Sequence, residues 1–396
     1  MTSTAPETGA AAAPPVAEPP VIDPPWEGYT PAHEELRTRV REWVRVHVAP
    51  HVDAWERAGD FPRELFAAAG EAGLFGHKVP VAFGGQGVDF TADLVVTEEL
   101  TGCWSGGVAA ALGAHKDLGS YYIWRFGTPA QRERWVPPAL RGSSVTALAV
   151  TEPGAGSDVA GVRTSAARAA DGWVLDGAKT FITNGSWADV VVVAALSDPE
   201  AGGHHGLSLF VVEAGDPGFS RRRVPTLGWR TSHTGELAFA GVELADDRLL
   251  GGPEQAGQGF PAIMRNFQWE RIVLAVAAVR QADDVLDLAR RHARGEGAHA
   301  RLADLAAETE AARSLARHAV RLHHAGRDAV REVSMAKWLA CDLAVRVCEA
   351  AVGAAGWDGG LAQHRLERAL RDARLGPIGG GTSEIMLEVV GRSYGL

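Results

Sequence analysis

The chain has 396 residues, 46% of them hydrophobic and 22% charged, with three cysteines. That composition excludes a disordered, collagen-like or disulfide-stapled protein and leaves enough apolar side chain for a full core. With 39 basic against 49 acidic residues the formal charge is -10, which argues against bulk nucleic-acid binding.

Residues 1–27 are Ala, Pro and small polar residues with hardly any large apolar side chain. Burial there cannot offset ordering entropy, so a disordered tail is expected. At Thr30-Pro31 a capping residue precedes proline, and Leu36, Val40, Trp43, Val44 and His47 then recur at helical spacing until Pro50. Further helices are predicted at 62–72, 91–103, 107–126 and 129–140, giving an N-terminal helical domain over 28–144. From Val145 the period changes. β-Branched runs at 172–175, 190–196, 207–213 and 236–244 are punctuated by Asp171-Gly172, Asp176-Gly177 and Asn184-Gly185, so a middle antiparallel β-domain is predicted over 145–252. After Gly251-Gly252-Pro253, helical segments at 257–294, 298–327, 330–352 and 361–373 predict a C-terminal four-helix bundle over 253–396. The class is α+β in the order α, β, α.

Cys103, Cys341 and Cys348 show neither CxxC nor Cys/His spacing, which suits a reducing compartment and makes the cytoplasm the expected location. The longest apolar runs, Val190 to Leu196 and Ile272 to Val279, fall far short of the roughly 20 residues that span a bilayer. No membrane insertion is expected. His204 and His205 lack carboxylate or cysteine partners at ligand spacing, so no metal site is assigned.

Several motifs occur in a telling order. Val150-Thr151-Glu152-Pro153-Gly154-Ala155-Gly156-Ser157-Asp158 is followed by Lys179-Thr180-Phe181-Ile182-Thr183-Asn184-Gly185. Arg230-Thr231-Ser232, Glu236 to Phe239, Glu270-Arg271-Ile272, Arg371 to Arg374 and Gly379 to Ile385 come next. From about residue 30 onward this text resembles the acyl-CoA dehydrogenases. The resemblance implies their three-domain fold and bound FAD, with Val150, Thr151, Gly156, Ser157, Phe181, Thr183, Thr382 and Glu384 at the cofactor. Thr151 would lie near the flavin N5, Thr183 and Phe181 along the ring, and Ser157 at the flavin or the thioester, with Arg271 at the substrate. The residue types suit that role, because glycines permit close backbone approach and hydroxyls can face a ring edge whose electron density rises on reduction. The same segment read without the resemblance is a glycine-rich turn with buried hydroxyls.

The base departs from the common pattern. Many relatives carry Tyr-Glu-Gly-Thr where this chain has Gly379-Gly380-Gly381-Thr382, and Gly380 cannot take a proton. Relatives resembling isovaleryl-CoA and long-chain acyl-CoA dehydrogenases instead place the glutamate before an arginine on the first C-terminal helix, which Glu270-Arg271 matches. The resemblance therefore implies α,β-dehydrogenation of an acyl thioester to a trans-2-enoyl thioester. Glu270 takes the α-proton, hydride passes to flavin N5, and the Gly380 N–H with a ribityl hydroxyl meets the enolate-like charge. The other reading of Glu270 is a helix glutamate paired with its neighbouring arginine. An acyl-CoA or an acyl carrier protein would bring the acyl group, an electron-transfer flavoprotein would take the electrons, and the assembly would be a homodimer or homotetramer. Two other classes stay open: a flavin monooxygenase or oxidase on this fold, and a non-catalytic binding subunit.

Other departures concern the adenylate end of FAD. The Arg-x-x-Phe-Gly stretch and glutamine common between the first two C-terminal helices are replaced by Arg290-Arg291-His292-Ala293-Arg294-Gly295-Glu296. A second glutamine is missing near Ala350, ahead of Gly353 to Trp357. Arg290, Arg291 and Arg294 are either substitute pyrophosphate contacts or a solvated helix end. Arg313, Arg317, Arg321, His324, Arg327 and Arg331 form a basic stripe that is either a dock for an acidic partner or a solvated face.

Overall fold

The computed structural model describes residues 28–292, 297–356 and 365–396. The tail 1–27, Arg294 and Trp357 lie outside the described residues. Thr30 opens the first helix, α1 (Pro31–His47), through a capping box in which the His33 ring occupies the place more often held by Glu or Gln. Leu36, Val40, Trp43 and Val44 form its buried stripe, at the spacing seen in the sequence. Helices α2 (Val52–Ala58), α3 (Glu64–Glu71), α4 (Phe90–Thr101), α5 (Gly106–Ala114), α6 (Ser120–Phe126) and α7 (Pro129–Leu140) complete this part. α7 repeats the capping box with Thr128 and Gln131. The single helix predicted over 107–126 is interrupted: His115–Gly119 form a π-helical turn between α5 and α6. Such turns insert one residue into the helical ladder and recur at functional sites.

The middle region is one sheet of β1 (Thr146–Ala149), β2 (Ser165–Ala169), β3 (Gly172–Ile182), β4 (Val190–Leu196), β5 (Leu207–Glu213), β6 (Phe219–Arg223) and β7 (Gly235–Leu244), ordered β1-β4-β2-β3-β7-β6 with β5 on β4. The antiparallel expectation holds for β2–β3, β3–β7, β4–β5 and β6–β7. β1 and β2 instead run parallel to β4: the β2–β3 hairpin is the crossover from β1 to β4, and β3 is the return strand between β2 and β4. Residues 190–195 of β4 are all buried, which is why the strand reads as continuously apolar. Val150, at the end of β1, shares an apolar cluster with Ile263 and Phe267 of the first C-terminal helix.

That helix is α9 (Gly259–His292), after a short α8 (Gly202–Gly206); α10 (Ala298–His324), α11 (Val330–Ala355) and α12 (Arg365–Ala373) follow. Ile272, Val279, Leu305, Ala316, Val333 and Val347 are among the apolar side chains that bind α9, α10 and α11 into one core. A fifth helix, α13 (Ser383–Ser393), was not evident from periodicity, because Met386 is its one buried residue. Asp372 ties the three parts together by accepting hydrogen bonds from the Gly106 and Trp229 main-chain N–H groups at 2.9 and 2.7 Å. Among the described residues no helix is long and apolar enough to cross a membrane.

Candidate active site

The glycine-rich loop after β1 is held from beneath. Lys179 of β3 is fully buried and donates to the Val150 carbonyl at 2.9 Å and to Glu152 at 2.8 Å. Glu152 also accepts from the Arg163 and Thr164 main-chain N–H groups, each at 2.8 Å. Burial works against both charges. It pulls Lys179 down to about 8, whereas at Glu152 the Lys179 ammonium and the Thr164 and Arg163 N–H groups outweigh burial and hold the carboxyl low. The Thr180 N–H donates to the Thr151 carbonyl at 2.9 Å, which seats the loop against the end of β3. Above this support the polar surface is free. Gly154 and Gly156 have nothing near where a Cβ would lie, Ser157 is exposed, and Thr151 and Thr183 are half-buried. Phe181 adopts φ 58 and leaves its ring 65% exposed, between the buried Thr180 and Ile182. A large ring displayed from a left-handed backbone position beside hydroxyls and open glycines is a surface shaped for a flat aromatic ligand. The side chain of Val150 faces the core at 7% exposure and its carbonyl is held by Lys179, so of this residue only the N–H is left for a ligand.

The second group lies where α9 meets the loop before α13. Arg271 donates to the Gly380 carbonyl at 2.9 Å, Lys337 of α11 to the Gly381 carbonyl at 2.6 Å, and Ser383 to Asp342 at 2.8 Å. Thr382 caps α13 by accepting from the Ile385 N–H, and Glu384 is exposed in its first turn. Gly380 and Gly381 take φ 65 and 100, values that suit glycine. A Cβ on Gly380 would stand 3.8 Å from Cδ of Glu270, so the two sequence-predicted residues are neighbours in space. The Gly379 and Ser383 N–H groups bond to Leu375 and Pro377, whereas the Gly380 N–H makes no main-chain bond. Glu270 keeps part of its surface open, yet the surrounding protein desolvates the carboxyl enough to push it up to about 7. Arg271 and Lys337 oppose that shift and Asp117 adds to it. Burial likewise lowers Arg271 and Lys337.

Asp117 belongs to a buried set that sequence reasoning missed: Lys78, Asp93, Lys116 and Asp117, each under a tenth exposed at the side chain. The available signal was the charged pair Lys116-Asp117 just after the small, apolar run Gly106 to Ala114. Part of the basic stripe is engaged by its own surroundings. Arg313 pairs with Asp283 and Glu310, Arg331 with Glu332, and Arg321 contacts His318. Arg290 and Arg291 both pair with Asp287 on their own helix.

Three family models match in order: the acyl-CoA dehydrogenase N-terminal domain over 30–143, the middle domain over 147–242 and the C-terminal domain over 257–395. The chain is 34% identical to the mitochondrial long-chain specific acyl-CoA dehydrogenase of Mus musculus over 92% of its length and 86% of that protein. It superposes on the crystal structure of acyl-CoA dehydrogenase from Geobacillus kaustophilus with a TM-score of 0.89 at 34% identity, covering 93% of this chain and 100% of the other. It also superposes on the prolyl acyl carrier protein oxidase AnaB with a TM-score of 0.87 at 27% identity, covering 93% and 100%.

Proposed function

The chain belongs to the acyl-CoA dehydrogenase family, a family of flavoprotein oxidoreductases, and from that premise we propose that it dehydrogenates the Cα–Cβ bond of an acyl-CoA, with FAD as cofactor and Glu270 as base. The observation that carries the reading is the Glu270 carboxyl beside the Gly380 loop, pushed up to about 7.

The residues present fit a flavin. The exposed Phe181 ring, the hydroxyls of Thr151, Ser157 and Thr183, and the open Gly154 and Gly156 offer an aromatic face, polar donors and room for close approach. Thr382 and Glu384 would complete the site from the start of α13. When bound there, the flavin supplies the acceptor for the hydrogen that leaves the β-carbon.

The protein's own part is proton removal and charge stabilisation. Burial pushes the Glu270 carboxyl up to about 7, into the range that suits a general base near neutral pH. An acyl chain laid against it excludes water and makes it more basic. The Gly380 N–H is free to donate to the thioester oxygen as negative charge gathers there. Arg271 and Lys337 act on that loop by holding the two carbonyls that follow the donor, those of Gly380 and Gly381, rather than by reaching the oxygen themselves. An electron-transfer flavoprotein would receive the electrons, and a homodimer or homotetramer would be the working assembly.

A second reading, an acyl group carried on a carrier protein, is favoured by the similarity to the prolyl acyl carrier protein oxidase. Anaerobic titration of the flavin-loaded protein with acyl-CoAs and with the same acyl groups on a carrier protein tests both readings, beside Glu270→Gln. Bleaching of the flavin band by one class, lost in the variant, is the expected result. A flavin that never bleaches overturns dehydrogenation, and rapid reoxidation by oxygen with an oxygenated product would move the reading to oxygen chemistry.

A further inference from the structure

The charged set around Asp117 is not needed by the chemistry outlined above, yet it is fastened to the helix turn that carries Glu270. Asp117 sits in the π-helical turn and accepts from Lys78 Nζ and Lys116 Nζ at 2.5 Å each and from Trp269 Nε1 at 2.9 Å. Its main-chain carbonyl accepts from Asn266 Nδ2 at 3.2 Å. Trp269 precedes Glu270 directly, and Asn266 lies one turn earlier on the same face as Trp269, at i and i+3. One residue thus holds α9 at two points that fix the rotation of the Glu270 turn. Lys78 lies 4.5 Å above the Trp269 ring and 3.3 Å from Asp93, while Phe90 meets the other aromatic edge at 5.2 Å. Burying two lysines and two aspartates is expensive where apolar side chains would pack as well.

We propose that Asp117 is a positioning residue for Glu270: anchored by Lys78 and Lys116, it fixes the α9 turn through Trp269 and Asn266 and places a negative charge beside that turn. The proposal rests on the reading of Glu270 as the base. The charged and titratable groups that bear on Glu270 are Arg271 of α9 and Lys337 of α11, which favour its ionised form, and Asp117, which opposes it. Tyr122 of α6 lies within the field of Glu270, and His323 of α10 faces Trp269 at 6.1 Å. Behind Asp117 stand Lys78, Lys116, Asp93 and His77. Lys78 is held charged by Asp117 and Asp93 against the effect of burial.

The sign of each effect gives the test. Infrared difference titration of the ligand-free protein with 13C-carboxyl glutamate, using Glu270→Gln as the blank, reads the Glu270 carboxyl directly and needs no flavin. Asp117→Asn removes a negative charge and leaves Lys78 and Lys116 facing Asp93 alone, so the midpoint falls by about one pH unit, the order expected for a nearby unit charge at an effective dielectric of about 20. Lys78→Met moves it upward, and Lys78→Arg, which keeps the charge, leaves it near the wild-type value. In the flavin-loaded protein Asp117→Asn lowers kcat by about 10²-fold at a pH where Glu270 is fully ionised, with KM changed far less, because the misplacement acts on the reacting geometry. Midpoints that stay within about 0.2 units of wild type, or that move in the same direction in Asp117→Asn and Lys78→Met, overturn the proposal. If Asp117→Asn does not fold, the two Lys78 variants carry the same sign test. Normal turnover by Glu270→Gln would instead overturn the base assignment while leaving the titration interpretable, so the two failures are distinguishable.

Discussion

A side chain placed at Gly380 would point its Cβ to within 3.8 Å of the Glu270 carboxyl carbon. The two backbone positions therefore address the same point in space, and the loop glycine leaves room for the helix glutamate. Glu270→Gln is expected to lower the rate of flavin reduction about 10²–10⁴-fold, the usual contribution of a general base. Glu270→Gly with Gly380→Glu should recover part of it. The recovery is limited by two features: φ 65 at position 380 costs an L-residue about 1–2 kcal/mol, and Leu274 Cδ1 lies 2.7 Å from the new Cβ. Adding Leu274→Ala should therefore raise the rate of the double variant. Stopped-flow reduction of the double and triple variants beside Glu270→Gly alone decides it, and a triple variant no faster than Glu270→Gly alone would show that the positions are not interchangeable.

The same carboxyl predicts a pH dependence. The base works ionised and Glu270 is pushed up to about 7 by burial, so kcat/KM should rise through a midpoint near 7 and level off above it. Lys337→Met removes a cation that favours the ionised form, and the midpoint should move to higher pH. The plateau should fall as well, since the Gly381 carbonyl loses its donor. A profile with no limb between pH 6 and 8 would count against Glu270 as the base.

The buried pair beneath the glycine-rich loop, Lys179 and Glu152, should matter more for structure than for chemistry. Lys179→Met leaves Glu152 charged and desolvated at 8% exposure, and breaking such a pair from one side costs about 3–5 kcal/mol. Glu152 still has two main-chain donors, which places the expectation at the lower end. The variant should lose several degrees of melting temperature and release flavin more readily, while any flavin that stays bound is reduced at a near-normal rate. Thermal denaturation with flavin fluorescence measures both.

What could be read from the sequence, and what could not, follows the range of the interactions. Thr30-Pro31 and Thr128-Pro129 mark helix starts because the cap and the first turn lie within four residues. β4 and β5 are plain because strands buried on both faces are written as unbroken apolar runs. β1, β2, β6 and α13 escape because they are short, rich in small or charged residues, and stabilised by neighbours distant in the chain. The same holds at the site. Glu270 and Gly380 were found through motifs, but Lys78, Asp93, Asp117 and Trp269 come from four separate stretches and meet only once α4, the π-helical turn and α9 are packed. The π-helical turn itself lies inside a run that reads as one helix.

Acid stability gives a prediction independent of the flavin. Asp89 caps α4 by accepting from the Thr91 and Ala92 N–H groups at 2.8 and 3.2 Å, and it meets His33, whose other ring nitrogen closes the cap of α1. Burial works against its charge, but the hydrogen bonds from His33 and Thr91 and the Ala92 N–H outweigh it and bring the carboxyl down to about 2. The folded value lies below the unfolded value of about 3.9. The stabilisation is therefore fully present above pH 4 and lost as pH falls toward 2. With allowance for solvent screening at a partly exposed group, this linkage amounts to about 1 kcal/mol, and loss of the cap adds roughly another. Asp89→Asn retains much of the cap and isolates the charge. Its denaturation midpoint should lie below that of the wild type at pH 7, and the gap should close by pH 2. A gap that stays constant across that range would assign the effect of Asp89 to capping geometry rather than to its charge.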